Sequence, residues 1–167
     1  MRDRRIPFAV GGAAALAVHG VSRATRDVDV LVVDAACLSP ATWATLERDG
    51  VAVTIRSGSA DDPLAGVVRL TTSPEPPIDL IVGRERWQAQ ALDRATARTI
   101  DDLVVPVATP ADLVLLKLYA GGPQDAWDIL QLLEAVDRAA LVAEVEAEVA
   151  ALPEDSRRLW ARLVESG

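Results

Sequence analysis

The sequence predicts a mixed α/β (α+β) fold, with a small mixed β-sheet, flanking helices and a helical cap at the C-terminus. Short apolar runs rich in β-branched residues alternate with helical patterns through the first two thirds of the chain, and the last third shows helical patterns only. The chain has 167 residues, of which 50% are hydrophobic, so it is long enough to bury a proper core. We therefore expect a core over residues 1–108 and a helical region over residues 109–167 that packs on it.

Several segments are predicted as strands because β-branched and apolar residues dominate them and turn-forming residues bound them. In chain order these segments are residues 6–10, 28–33, 51–55, 67–71, 78–82 and 104–107. A polar turn over residues 58–63 joins two of them, and a proline-rich break at residues 74–77 precedes the strand over 78–82.

Other segments are predicted as helices from their apolar periodicity and from the residues at their ends. They are residues 13–19, 41–48, 84–95, 109–119, 123–136, 139–152 and 155–164. Gly20 and Gly50 end the first two helices, as glycine often does. A serine or threonine followed by proline begins a helix at Ser39 and again at Thr109, where the hydroxyl can cap the first turn.

Composition narrows the functional classes. The net charge is −8, which argues against broad, non-specific binding to nucleic acids. No apolar run approaches the ~20 residues that span a bilayer, and residues 1–7 lack the apolar centre of a signal peptide. A single cysteine, Cys37, excludes an internal disulfide and is expected to be a core or loop residue. We expect a cytoplasmic protein with no membrane partner.

Asp27 and Asp29 are the most informative residues. They stand two positions apart at the start of the valine-rich strand, and residues i and i+2 of a strand point to the same face. Two carboxylates held together repel each other, so the pattern implies a compensating cation. Carboxylate oxygens suit Mg²⁺ or Mn²⁺, which proteins often bind together with substrate phosphates.

Three further features follow in an order that phosphoryl transfer would need. Gly11-Gly12 lies between a strand and a helix, where bare backbone can approach phosphate oxygens. Asp79 is the only charged residue in an apolar strand, and it becomes a third carboxylate at the site if that strand neighbours the strand that follows Asp27. Lys117, the only lysine, lies on an otherwise apolar helix and is a candidate for partial burial against an anion. Each feature alone is also typical of a plain turn, a surface carboxylate or an extended surface lysine.

Taken together, these motifs resemble a known family. The segment VGGAAALAVHG at residues 10–20, followed by Arg23, Thr25, Asp27 and Asp29 at alternate positions, resembles the nucleotidyltransferase superfamily with the polymerase-β-like fold. It looks most like the bacterial branch that contains the AbiEii and MenT toxins of toxin–antitoxin systems. The resemblance covers about residues 8–133.

Later parts of the chain carry the same resemblance. Asp79 falls where the family places its third catalytic carboxylate, and Lys117 with the downstream pair Asp125 and Asp128 is similar to the AbiEii-type motifs. Two departures are visible. Many relatives have serine where this chain has Gly12, and several have arginine where it has Gln124.

The resemblance implies an enzyme that moves a nucleoside monophosphate from an NTP to an acceptor hydroxyl and releases pyrophosphate. It implies Mg²⁺ or Mn²⁺ on Asp27, Asp29 and Asp79, with Asp79 also as the base. It also implies phosphate binding by Gly11, Gly12, Arg23, Arg26 and Lys117. Asp128 would orient Lys117 or a nucleobase.

The acceptor stays open at this point. A toxin would modify tRNA, another RNA or a protein and would have a cognate antitoxin as its partner. A small-molecule acceptor, as in aminoglycoside or lincosamide resistance enzymes of the same superfamily, is the second possibility. A non-catalytic binding module is the third, and the aspartate trio counts against it.

Two residues near these motifs are expected to be structural. His19 closes a helix beside Gly20, where a histidine can bond the carbonyls of the last turn, with base catalysis as the alternative. Thr25 is expected to bond the loop backbone just before the strand.

Overall fold

The computed structural model describes residues 6–60, 62 and 64–165, and it confirms the predicted fold class. The strands are β1 Phe8–Val10, β2 Val28–Val32, β3 Ala52–Ser57, β4 Gly66–Thr71, β5 Ile78–Val82, β6 Thr96–Ile100 and β7 Leu103–Val107. The α-helices are α1 Gly12–Val18, α2 Pro40–Arg48, α3 Arg86–Arg94, α4 Pro110–Ala120, α5 Pro123–Ala135, α6 Arg138–Glu148 and α7 Glu154–Glu165. Residues 1–5, and with them most of the segment examined for a signal peptide, lie outside the described residues, as do Asp61 and Pro63 of the predicted turn.

The strands form one mixed sheet in the order β3-β4-β5-β2-β1-β7-β6. Two neighbouring pairs are parallel, namely β2 with β5 and β1 with β7, and the other pairs are antiparallel. The parallel pairing of β2 with β5 decides the site, because it brings the carboxylate of residue 79 beside the strand that carries Asp29.

One strand, β6, was not predicted from the sequence. Its residues are mostly exposed and mostly polar, so they lack the apolar run that marks the other strands. The strand forms by antiparallel pairing with β7 across a tight turn at Asp101. The φ of Asp101 is 49°, and aspartate adopts such a positive φ more readily than most other residues. Helix α3 begins two residues later than predicted, because Glu85 is its N-cap and forms a capping box with Gln88.

Two clusters of buried side chains cover the two faces of the sheet. The smaller cluster lies under α2 and includes Cys37, Trp43 and Val68. Of the two places expected for Cys37, core or loop, the structure shows the core. Ser39 does occupy the N-cap of α2, but its side chain makes no capping hydrogen bond, contrary to the prediction. The larger cluster joins β1, α1 and β7 to all four C-terminal helices.

Helices α4–α7 follow the last strand and pack on the sheet through that larger cluster. The predicted boundary at residue 108 falls between β7 and α4, where the His19 imidazole bonds the Ala108 carbonyl oxygen at 2.9 Å. The His19 side chain is therefore structural. Its imidazole fastens α1 to a distant segment, and it is the His19 backbone N–H that bonds the Ala15 and Leu16 carbonyl oxygens of the last turn. Because buried side chains continue across this boundary, the division into 1–108 and 109–167 stays a prediction about folding units.

An ion pair between Arg94 and a fully buried carboxylate fixes α3 against α4. Asp112 is fully buried at the start of α4 and receives hydrogen bonds from Arg94 at 2.6 Å and from the Thr109 hydroxyl at 2.7 Å. Hydrogen bonding to Asp112 is the main cause that raises the pKa of the Arg94 guanidinium. Arg94 also approaches Glu148 of α6 at 3.4 Å, but there both side chains are about a third exposed.

We predict that Asp112→Asn destabilises the protein far more than Glu148→Gln. Loss of a hydrogen-bonded charge in a buried position costs about 2 kcal/mol, or roughly 4–8 °C in Tm for a chain of this size. The exposed Arg94–Glu148 pair should contribute less than about 1 kcal/mol. Thermal denaturation of both variants checks this, and equal losses would contradict the assigned roles.

Candidate active site

The sheet register brings two of the predicted carboxylates side by side. Asp29 on β2 pairs with Asp79 on β5, and residue 69 on β4 pairs with Asp79 on its other side. Asp27 lies just before β2 and on the same side as Asp29, close enough for its charge to act on that carboxylate. The structure therefore brings all three predicted aspartates to one place on one face of the sheet.

Arg69 is a site residue that the sequence did not reveal. Its guanidinium donates to both oxygens of Asp79, from Nε to Oδ1 at 2.7 Å and from Nη2 to Oδ2 at 2.5 Å. Nη2 also reaches Asp27 Oδ2 at 3.4 Å. The hydrogen bonds to Asp79 are the main cause that raises the pKa of the Arg69 guanidinium. The residue is one of many arginines in the chain, and only the register of β4 with β5 singles it out.

The three carboxylates leave the site short of positive charge. Burial raises the pKa of the Asp29 carboxyl, and the charges of Asp27 and Asp79 raise it further, while Lys117 and Arg23 act in the opposite direction. Carboxylate oxygens are the donors that Mg²⁺ and Mn²⁺ prefer, so the donor chemistry fits such an ion. As the side chains stand, however, no three metal-binding residues among those described are gathered into a ready coordination shell.

The close contact with Asp29 requires glycine at position 12. A Cβ atom on Gly12 would lie 1.9 Å from Asp29 Oδ2, and the φ of Gly12 is +53°, a value that favours glycine. Gly11 differs, because its N–H donates to the Asp29 carbonyl oxygen at 2.8 Å and a Cβ there would meet nothing closer than 3.9 Å. One of the amides expected to face a phosphate is therefore already used to attach the turn to β2.

Lys117 belongs to a buried ionic cluster. The side chain is 8% exposed, and its ammonium group bonds the carboxylate of Asp128, which is fully buried, and that of Asp125 at 3.3 Å. Asp125 also accepts from the Gly122 backbone N–H at 3.1 Å, which fixes the start of α5. The sequence left Lys117 and a nucleobase as possible partners of Asp128, and in the structure Asp128 contacts Lys117. The Lys117 charge is shared between the carboxylates of Asp125 and Asp128.

The loop before β2 carries the other predicted basic residues. Arg23 Nε lies 3.3 Å from Asp128 Oδ2 but does not have the geometry of a hydrogen bond, so the two side chains form an ion pair without a hydrogen bond. Arg26 is exposed and makes no described side-chain contact. Thr25 donates to the Asp27 carbonyl oxygen at 3.0 Å and to Asp27 Oδ1 at 2.9 Å, which confirms its predicted structural role.

A cleft of about 440 Å³ joins these groups. Its walls come from the glycine turn, β2, β5 and α4, and its polar lining includes Asp29, Lys117 and Asp125. Its apolar lining includes Leu31 and Ile81, which are register partners on β2 and β5, together with Leu113, Leu116 and Tyr119. A cleft with charge at one end and apolar side chains along its walls suits a ligand with a charged and a flat apolar part.

Comparison with protein families gives one match over nearly the whole chain. Residues 2–162 match the family described as nucleotidyl transferase AbiEii toxin, Type IV TA system. The chain belongs to the AbiEii nucleotidyltransferase family. It is therefore an enzyme of the nucleotidyltransferase class, as the sequence motifs indicated. A search of curated protein sequences gave no match.

Solved structures with the same fold are also nucleotidyltransferases. The solution structure of the antibiotic-resistance factor ANT(2'')-Ia is 13% identical and has a TM-score of 0.57, with 98% of this chain and 89% of that chain covered. A putative nucleotidyltransferase from Thermotoga maritima is 13% identical with a TM-score of 0.55, over 79% of this chain and 84% of that one. A crystal structure of ANT(2")-Ia in complex with adenylyl-2"-tobramycin has a TM-score of 0.56 at 13% identity, over 87% and 88% of the two chains. At these identities the likeness establishes the fold.

Within the described part of the chain, every helix is too short or too polar to cross a bilayer.

The two glycines provide a matched test of the Gly12–Asp29 contact. Gly12→Ala should destabilise the protein by at least about 1–2 kcal/mol, because alanine disfavours a left-handed φ and its Cβ would displace the Asp29 carboxylate. Gly11→Ala should change stability by less than about 1 kcal/mol, since the φ of Gly11 is −120° and the space is open. Urea denaturation of both variants measures the difference, and equal stabilities would show that the contact does not constrain residue 12.

Proposed function

We propose that this protein transfers a nucleoside monophosphate from an NTP to an acceptor hydroxyl, with Mg²⁺ or Mn²⁺ as the metal. The observation that carries the proposal is the pairing of Asp29 with Asp79 across β2 and β5, where Asp29 lines a cleft together with Gly12 and Lys117. Family membership supports the reaction class. The assignment of roles to single residues is our own.

The cleft would take the NTP. Gly11 and Gly12 line the cleft and add no side chain to it, which leaves room for phosphate oxygens although the Gly11 N–H is bonded to Asp29. The ammonium group of Lys117 attracts these oxygens, with Arg23 and Arg26 on the adjoining loop. Asp128 would position Lys117, because it is fully buried and bonds the ammonium group directly. The apolar walls at Leu31 and Ile81 suit the base or sugar.

Asp27, Asp29 and Asp79 would hold the divalent ion, which supplies positive charge to the triphosphate and acidifies a bound hydroxyl. In the transfer, the acceptor oxygen forms a bond to the α-phosphorus and the bond from that phosphorus to the bridging oxygen breaks, so the electron pair leaves with pyrophosphate. The hydroxyl proton passes to Asp79. Arg69 bonds each Asp79 oxygen once, and a carboxylate has further lone pairs to accept a proton.

We further propose that the protein acts as the toxin of a toxin–antitoxin pair and has a protein antitoxin as its partner. The family description supports this role. A small-molecule acceptor is the second candidate for the reaction, because ANT(2")-Ia, which shares the fold, has been solved in complex with adenylyl-2"-tobramycin.

The first test is a thermal-shift titration of wild type and of the double variant Asp27→Asn, Asp29→Asn with each NTP, with and without Mg²⁺. An NTP at ~100 times its Kd should add about 2.7 kcal/mol, or roughly 5–10 °C, to wild type only. Pyrophosphate release should likewise need both aspartates and the metal.

The control is Asp102→Asn, which removes an exposed carboxylate from the β6–β7 turn and should keep the full shift. A wild-type protein that shows no shift with any NTP, or a double variant that keeps the shift, would contradict the proposed site.

A further inference from the structure

The Arg69 guanidinium lies between two of the three carboxylates of the site. Its Nη2 atom is 2.5 Å from Asp79 Oδ2 and 3.4 Å from Asp27 Oδ2, and its Nε atom is 2.7 Å from Asp79 Oδ1. One side chain therefore bonds both oxygens of Asp79 and links them to Asp27. A divalent ion that bound Asp79 and Asp27 together would need the same oxygen atoms.

Arg69 is also the cation that contacts these carboxylates directly. Lys117 and Arg23 act on Asp29 through their charge, but both are paired with carboxylates of helix α5. Within the part of the chain that the structure describes, the ion pairs of the three aspartates all come from Arg69. An ion that enters the site therefore finds Asp29 outside any ion pair and the other two aspartates already paired.

The ion and the guanidinium conflict at these oxygens because of their charge. Mg²⁺ binds oxygen atoms directly, at about 2.0–2.1 Å. Each carboxylate oxygen has a second lone pair, but two cations that share one oxygen lie close together and repel each other. Binding of the ion through both Asp79 and Asp27 therefore requires Arg69 to give up at least its Nη2 contacts.

Arg69 can move without disturbing the core. Its side chain is 49% exposed, and it borders a groove of about 180 Å³ whose lining includes Thr54 and Val67. Thr54 on β3 is the register partner of Arg69, so this groove extends from β4 to the side away from β5. A guanidinium released from Asp79 has both space and solvent there.

We propose that Arg69 competes with the divalent ion for Asp79 and Asp27 and thereby lowers the affinity of the site for its metal. This inference rests on the proposed metal-dependent function. Arg69 acts through the carboxylates, so it is a positioning residue: it holds the repelling aspartates together until the ion replaces it. A purely structural Arg69 would instead hold the aspartates in place for the ion, and its loss would weaken metal binding.

The test is a Mn²⁺ titration without any NTP, in which electron paramagnetic resonance measures the free Mn²⁺. Arg69→Gln should bind Mn²⁺ roughly tenfold more tightly than wild type, because the ion no longer displaces a charge-assisted hydrogen bond. Arg69→Lys keeps the charge but loses the forked contact, so its affinity should fall between the two. An Arg69→Gln variant that binds Mn²⁺ as weakly as wild type, or more weakly, would overturn the competition.

Arg56→Gln is the matched control. It removes an exposed arginine that lines the same groove from β3 and makes no described hydrogen bond or ion pair. The Mn²⁺ affinity should change by about twofold or less, because salt screens exposed charges. Equal gains in the Arg56 and Arg69 variants would assign the effect to net charge and overturn the competition. The double variant Asp27→Asn, Asp29→Asn should bind no Mn²⁺, and retained binding would contradict the site.

Thermal denaturation with and without Mn²⁺ separates competition from a structural role. Without added metal, Arg69→Gln should melt below wild type, because the repelling carboxylates lose their counter-ion. Saturating Mn²⁺ should reduce that difference in Tm by roughly 3–6 °C, the thermal equivalent of a tenfold gain in affinity. A difference in Tm that Mn²⁺ leaves unchanged would show that Arg69 is structural only.

The thermal shift with NTP is recorded on the same samples, so the two proposals can fail separately. A wild-type protein that shifts with NTP and Mg²⁺, while Arg69→Gln gains no Mn²⁺ affinity, keeps the transferase proposal and loses the competition. If neither wild type nor Arg69→Gln binds Mn²⁺ and no NTP produces a shift, the proposed function fails and the competition fails with it.

Discussion

The lateral pairing of Asp29 with Asp79 on the parallel strands β2 and β5 is the constraint on which the rest of the site depends. It places two carboxylates side by side, with Asp27 adjacent, and their repulsion together with burial raises the pKa of Asp29. Such an arrangement persists only if cations surround it. Arg69 of β4 pairs with Asp79, and the charges of Lys117 on α4 and of Arg23 in the loop before β2 act on Asp29, so three separate parts of the chain serve one electrostatic need.

The glycine turn before α1 also packs closely against Asp29. The Gly11 N–H bonds the Asp29 carbonyl oxygen, and Gly12 lies so close to the Asp29 carboxylate that a side chain would occupy its place. Any side chain at position 12 would therefore have to displace the Asp29 carboxylate.

The helical region completes the site through buried polar contacts. Asp128 is fully buried and is satisfied by Lys117 and by the Gln124 amide at 3.1 Å, so it holds the lysine at the edge of the cleft. A buried ion pair of this kind adds little net stability but fixes position, which is what a phosphate-binding group requires. The bond from His19 to Ala108 and the shared hydrophobic core fasten this region to the sheet that carries the aspartates.

Sequence alone determined the fold class and nearly all the helices and strands. It also singled out the three aspartates, the glycine turn and Lys117, whose roles in the reaction stay predictions. It could do so because apolar periodicity, end signals and the two-residue spacing of Asp27 and Asp29 act over a few neighbouring residues. Tertiary structure alone decided β6, whose polar residues become a strand only by pairing with β7, and the role of Arg69, which depends on the β4–β5 register. Register and pairing join residues far apart in the chain, and no local pattern in the sequence records which of its many arginines will face a carboxylate.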